Sequence, residues 1–85
     1  MSEPHEYRLK RLRMRSMRRG IKEMDLILSA FADQSLADMG PADLDLYEAV
    51  LNQPDQDLYQ WVTGQAPAPD GFQAMIDDIA QVFQK

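Results

Sequence analysis

The chain has 85 residues, no cysteine, a single histidine (His5) and a net charge of −5. A chain of this length is expected to form one domain around one core, burying roughly 60% of the surface that its unfolded form exposes. Without a thiol there is no disulfide, zinc-thiolate site or cysteine nucleophile, and the one imidazole lies near the N-terminus, so the usual nucleophile-plus-base pairs are missing and an enzyme is not expected.

No apolar run approaches the roughly 18 to 20 residues that span a bilayer, so no membrane insertion is expected. The start, Met1 to Glu6, carries two glutamates and no hydrophobic stretch, unlike a targeting peptide. A cytoplasmic protein of bacterial type is the expectation, or a matrix protein if the source is eukaryotic. Residues 1–23 hold eight of the nine Lys and Arg against three acids, and residues 24–85 hold eleven acids against Lys85. The molecule is a basic head on an acidic body, a polarity able to orient the approach of a charged partner.

Strand signals are missing, and an all-α fold follows. The reading is one domain over 1–85, with a disordered tail at 1–5 and a helical bundle over 6–85. A first helix is predicted from Glu6 to Arg19, with Arg8, Arg11, Arg15 and Arg18 in one stripe and Leu9, Leu12 and Ser16 towards a core. A second begins at or just after Gly20 and ends near Ala32 to Gln34, with Met24, Ile27, Leu28 and Phe31 at buried spacing. After a polar connection, Gly40, Pro41 and Asp43 start a third helix that runs to about Asn52 and buries Leu44, Tyr47, Val50 and Leu51. Asp55 is expected to cap a short fourth helix, Gln56 to Thr63, with Leu58, Trp61 and Val62 as its apolar residues and Gly64 as its stop. Beyond the loop Gln65 to Pro69, Asp70 should cap a last helix showing Phe72, Met75, Ile76, Ile79 and Phe83.

Arg19-Gly20-Ile21-Lys22-Glu23 is the most informative segment. One reading is a plain surface pair, Arg19 with Glu23 at i, i+4. Against it, a glycine inside a helix costs about 0.8 to 1.0 kcal/mol relative to alanine, and arginine before glutamate is the poorer order for such a pair. The other reading makes Gly20 a helix junction, or a place where a partner's backbone comes close without meeting a Cβ atom. Arg19 would then be free to grip a carboxylate or carbonyl with its planar fork, and Glu23 to accept from the partner or hold Arg19.

The arginine stripe is a solvated face, a nucleic-acid footprint, or a dock for an acidic protein surface; the acidic remainder of the chain disfavours nucleic acid. Trp61 reads as core or half-core, with a binding hot spot as its alternative. The pairs Asp43 with Asp45, Asp55 with Asp57, and Asp77 with Asp78 fall at helix starts or on solvated faces without a calcium-loop pattern, so no metal is expected.

The sequence resembles the SdhE-type succinate dehydrogenase flavinylation factors. The resemblance covers most of the chain and rests on three blocks in order. The first is Arg19, Gly20 and Glu23, within Arg-Arg-Gly-Ile-Lys-Glu-Met-Asp. The second is Asn52-Gln53-Pro54 followed by Asp57-Leu58-Tyr59-Gln60-Trp61, and the third is Pro67-Ala68-Pro69-Asp70.

The resemblance implies a small five-helix antiparallel bundle that binds the flavoprotein subunit of succinate dehydrogenase, and of related fumarate reductases, and promotes covalent attachment of FAD to a histidine there. It implies an assembly chaperone, with FAD as the group attached to the partner; no stably held cofactor is expected, and a monomer is expected when the protein is free. By similarity, Arg19, Gly20 and Glu23 would centre the docking surface, and nothing is carried over from the arginine stripe; Arg15, Ile21, Asp57 and Trp61 are accessory docking candidates apart from the resemblance. The competing reading is a nucleic-acid-binding or regulatory module that uses the arginine-rich first helix. A flavin-carrying enzyme fits less well, because no glycine-rich phosphate loop is present.

Overall fold

The structure, a computed structural model, describes residues 3–83, with the side chain of Phe83 outside the described set. Five helices account for most of it: α1 (His5–Arg15), α2 (Lys22–Ser35), α3 (Pro41–Leu51), α4 (Asp55–Val62) and α5 (Asp70–Phe83), with one 3-10 turn at Leu36–Asp38 between α2 and α3. Among the described residues there is no strand. No helix there is long and apolar enough to cross a membrane.

The apolar spacing read from the sequence becomes the core. Met24, Ile27, Leu28 and Phe31 of α2 meet Leu44, Tyr47, Val50 and Leu51 of α3, Leu58 and Val62 of α4, and Met75, Ile76 and Ile79 of α5, all buried. Each such side chain contributes about 1.5 to 3 kcal/mol of burial. Phe31 and Tyr47 lie ring against ring at 5.5 Å. The last helix packs against α2, α3 and α4, and so closes the core. Trp61 and Phe72, expected among the apolar faces, are only half-buried and meet at the core's edge at 6.2 Å.

Helix α1 is held differently. Of its residues only Leu12 is fully buried. Leu9 packs half-buried against the core, and polar contacts add to the attachment: Arg8 pairs with Asp45 at 2.6 Å and with Glu48 at 3.2 Å, Arg11 pairs with Glu48 at 3.0 Å, and Arg15 donates to the Asn52 amide oxygen, Oδ1, at 2.6 Å. The arginine stripe therefore finds its acidic surface within the chain, on α3, and Arg18 does not belong to it because α1 has ended. Of the expected N-terminal tail, residues 1 and 2 lie outside the described set; Glu3 pairs with Arg11 at 2.6 Å and His5 is the first residue of α1.

The carboxyls of Glu48 and Glu3 are held below the usual carboxylate value of 4.5, chiefly by hydrogen bonds from Arg11. A carboxyl with a depressed folded value stabilises the fold fully above its unfolded value and loses that contribution as pH falls through the folded value. We expect acidification from the usual carboxylate value of 4.5 down through the folded value of Glu48 to erase the stability difference between the native chain and Glu48→Gln, read as the gap between their melting temperatures. A gap that persists unchanged at the acid end would show that Glu48 does not hold α1 by charge.

Candidate functional site

The first helix ends four residues earlier than its composition predicts, and the reason is tertiary. Ser16 is fully buried; its hydroxyl donates to the Leu12 carbonyl at 2.9 Å, which leaves the Tyr47 hydroxyl as the donor in the 2.6 Å bond between Tyr47 and Ser16. Arg18 adopts a left-handed backbone, φ 55°, which no α-helix continues through. Its amide donates to Asp25 Oδ2 at 3.0 Å, reaching forward to the first turn of α2. Residues 16–21 therefore form an extended junction between α1 and α2, with Ile21 in β-type backbone just before α2 begins.

The motif occupies this junction, and its two halves face opposite ways. Arg19 points inward, its side chain 11% exposed. Its Nε and Nη2 donate to Asp55 Oδ1 at 2.9 and 2.7 Å. Nη1 donates to the carbonyl of Arg15 at 2.9 Å, and Nη2 also to that of Leu51 at 3.1 Å. Those carbonyls belong to the last residues of α1 and α3, while Asp55 is the first residue of α4. One guanidinium thus neutralises the negative ends of two helices and a carboxylate that itself sits at the positive end of a third.

Gly20 is exposed, and its amide donates to the second oxygen of Asp55 at 2.6 Å. A Cβ atom at position 20 would stand 3.2 Å from that oxygen, tighter than ordinary packing. The close approach that glycine permits is thus made, at least on this side, by the chain's own Asp55. This revises the expected helix cap: Pro54 occupies the N-cap position of α4 and the Asp55 carboxylate serves Arg19 and Gly20 instead.

Glu23 faces the other way. It lies exposed in the first turn of α2, where its charge complements the helix end, and among the described residues it enters no ion pair or side-chain hydrogen bond. The i, i+4 pair with Arg19 does not form, because Arg19 is spent on Asp55. Leu26, one turn further along α2, is 64% exposed, and Met17 in the junction is 42% exposed.

The accessory candidates are distributed unevenly. Arg15 adjoins the motif through its carbonyl and lies between Asn52 and Glu48. Ile21 is half-buried against the core and fixes the start of α2. Asp57 is exposed in the first turn of α4, two residues from Asp55. Trp61 turns towards α5, where it lines a shallow hollow with Pro67, Gln73 and Ala80. Among the described residues no group of three or more His, Cys, Asp or Glu is placed to hold a metal ion.

The residue that sequence reasoning missed is Asp55, taken there for a helix cap. A cap-type residue after Pro54 is a local signal, and nothing local marks a carboxylate whose partners lie 35 and 36 residues away.

Comparison with known proteins bears on this site. The family model described as flavinator of succinate dehydrogenase matches residues 10–83, a span that includes the whole junction. The chain is 35% identical over 85 residues to a protein of Danio rerio named succinate dehydrogenase assembly factor 2, mitochondrial, covering 98% of this chain and 54% of that one. Proteins of the same name from Scheffersomyces stipitis and Saccharomyces cerevisiae are 42% identical over 71 residues and 40% over 72, covering 80% and 81% of this chain and 48% and 44% of theirs. The chain spans about half the length of these relatives.

Proposed function

The chain belongs to the flavinator of succinate dehydrogenase family, and on that premise we propose that it is an assembly chaperone that binds the flavoprotein subunit of succinate dehydrogenase and promotes covalent attachment of FAD to it. The observation that supports this reading is the α1–α2 junction, braced from three helices, which carries an exposed glycine and leads into an exposed glutamate that is unpaired among the described residues. Such a surface suits docking: the missing Cβ leaves room for a partner's main chain, and the Glu23 carboxylate accepts from its amides or pairs with its cations.

In this reading the chain supplies orientation and the flavin with its host subunit supplies the chemistry. Holding the target side chain and the bound flavin at reacting distance lowers a barrier by several kcal/mol, with on the order of 7 to 11 available in ideal cases. The factor itself keeps no FAD, so the purified protein is expected to show no flavin absorbance after incubation with FAD and desalting. Its place is where its partner matures, the bacterial cytoplasm or the mitochondrial matrix. The nucleic-acid reading is the weaker one, since Arg8, Arg11 and Arg15 face acids or an amide of the chain.

The test is a pull-down of the flavoprotein subunit followed by in-gel flavin fluorescence, in a strain that lacks the endogenous factor. Glu23→Ala, at an exposed position, is expected to stay folded, capture about tenfold less subunit and leave correspondingly less covalent flavin. Undiminished capture and fluorescence would remove Glu23 from the docking surface.

A further inference from the structure

We infer that Asp55 is a positioning residue for the docking surface, and that Arg19 acts through Asp55 rather than by touching the partner. The inference rests on the docking reading above and changes the part that each motif residue plays in it.

All three guanidinium nitrogens of Arg19 are engaged within the chain, by Asp55 and by the carbonyls of Arg15 and Leu51. A partner's carboxylate could take Arg19 only by displacing this set, in a site where both charged side chains are mostly covered, at 11% and 16% exposure. Arg19 is therefore poorly available as a contact and well placed as a brace.

Asp55 uses both oxygens, one for Arg19 and one for the Gly20 amide. Among the described residues no junction amide beyond Met17 donates a helical hydrogen bond, and the amides of Arg18 and Gly20 are satisfied by carboxylates, Asp25 and Asp55. Gly20 is thus fixed from α4, and it is the last such anchor before α2 starts at Lys22 and presents Glu23. The glycine also gives Asp55 its access, since a Cβ would crowd the oxygen that binds the amide. Arg19, Gly20 and Asp55 make one unit, which sets where Gly20 and Glu23 stand relative to each other.

The dissociation constant of the purified factor for the flavoprotein subunit tests this, measured at a temperature where circular dichroism shows every variant folded. Asp55→Asn keeps the shape and removes the charge; it is expected to weaken binding about tenfold, as is Arg19→Lys. The double variant should bind no more weakly than the worse single one, because both changes break the same unit. Asp55→Glu, which keeps the charge at a longer reach, should fall between native and Asp55→Asn, and it carries the comparison if Asp55→Asn does not fold.

Native-like binding by Asp55→Asn, alongside weakened binding by Glu23→Ala, would overturn the inference and leave the docking reading intact. So would an Arg19→Lys penalty that multiplies in full on the Asp55→Asn background, since Arg19 would then meet the partner on its own. Native-like binding by Glu23→Ala, Asp55→Asn and Arg19→Lys together would overturn the docking reading and this inference with it.

Discussion

Gly20→Arg is expected to leave the five helices folded and to weaken binding of the flavoprotein subunit by at least about a hundredfold, the scale of a central interface residue. Two effects act together. The new Cβ would stand 3.2 Å from Asp55 Oδ2, so the carboxylate must retreat from the Gly20 amide. The rest of the side chain would project from an exposed position into the space left for the partner, carrying a second guanidinium that competes with Arg19 for Asp55. Gly20 does not have the positive φ that forces a glycine, so an L-residue is tolerated by the backbone and the core is untouched. Gly20→Ala separates the two effects, since it crowds Asp55 without filling the partner's space; its loss should be far smaller. Titration calorimetry of both variants checks this, and equal losses for alanine and arginine would place the whole effect in the Asp55 contact.

The largest effect on stability is expected at Tyr47, which is fully buried, tilted against the Phe31 ring and bonded to Ser16. Tyr47→Ala removes the ring and should cost about 3 to 5 kcal/mol, a large share of the 5 to 15 kcal/mol typical of a small domain. Tyr47→Phe keeps the ring and loses only the hydroxyl, at about 1 to 2 kcal/mol.

Burial also pushes the Tyr47 phenol up to about 12 from its ordinary 10.0. The unfolded chain then sheds this proton first, so stability is unaffected below pH 10 and declines as pH rises from 10 towards 12, by about 3 kcal/mol in all. Urea titrations at neutral and alkaline pH should show this decline in the native chain and a smaller one in Tyr47→Phe. Equal alkaline losses in the two would assign the decline to other groups.

The parts of the fold legible in the sequence were those set by local periodicity. Met24, Ile27, Leu28 and Phe31 of α2, Leu44, Tyr47, Val50 and Leu51 of α3, and Met75, Ile76 and Ile79 of α5 are buried as their spacing requires, because a helix with one apolar stripe has one way to bury it. Pro41 and Gly40 marked the start of α3 by their own backbone chemistry. What local rules could not supply was any feature fixed by residues distant in sequence.

Nothing in Ser16-Met17-Arg18 forbids a helix; it stops there because Tyr47 takes Ser16 and Asp25 takes the Arg18 amide. The arginine stripe was visible, but its partners Asp45 and Glu48 lie 37 and 40 residues on from Arg8. The motif itself was visible as Arg19, Gly20 and Glu23, whereas its division into an inward arginine and an outward glutamate depends on Asp55, which propensity had assigned to a different task.

The way α5 closes the core bears on when the protein becomes competent during its own synthesis. In chain order α1 to α4 come before Met75, Ile76 and Ile79, the residues that complete the core. Asp55 sits at the head of α4, a helix that packs on α5, so the anchor of Arg19 and Gly20 is tied to the completed core. Under the docking role proposed above, the motif reaches its working geometry only once α5 has joined the bundle.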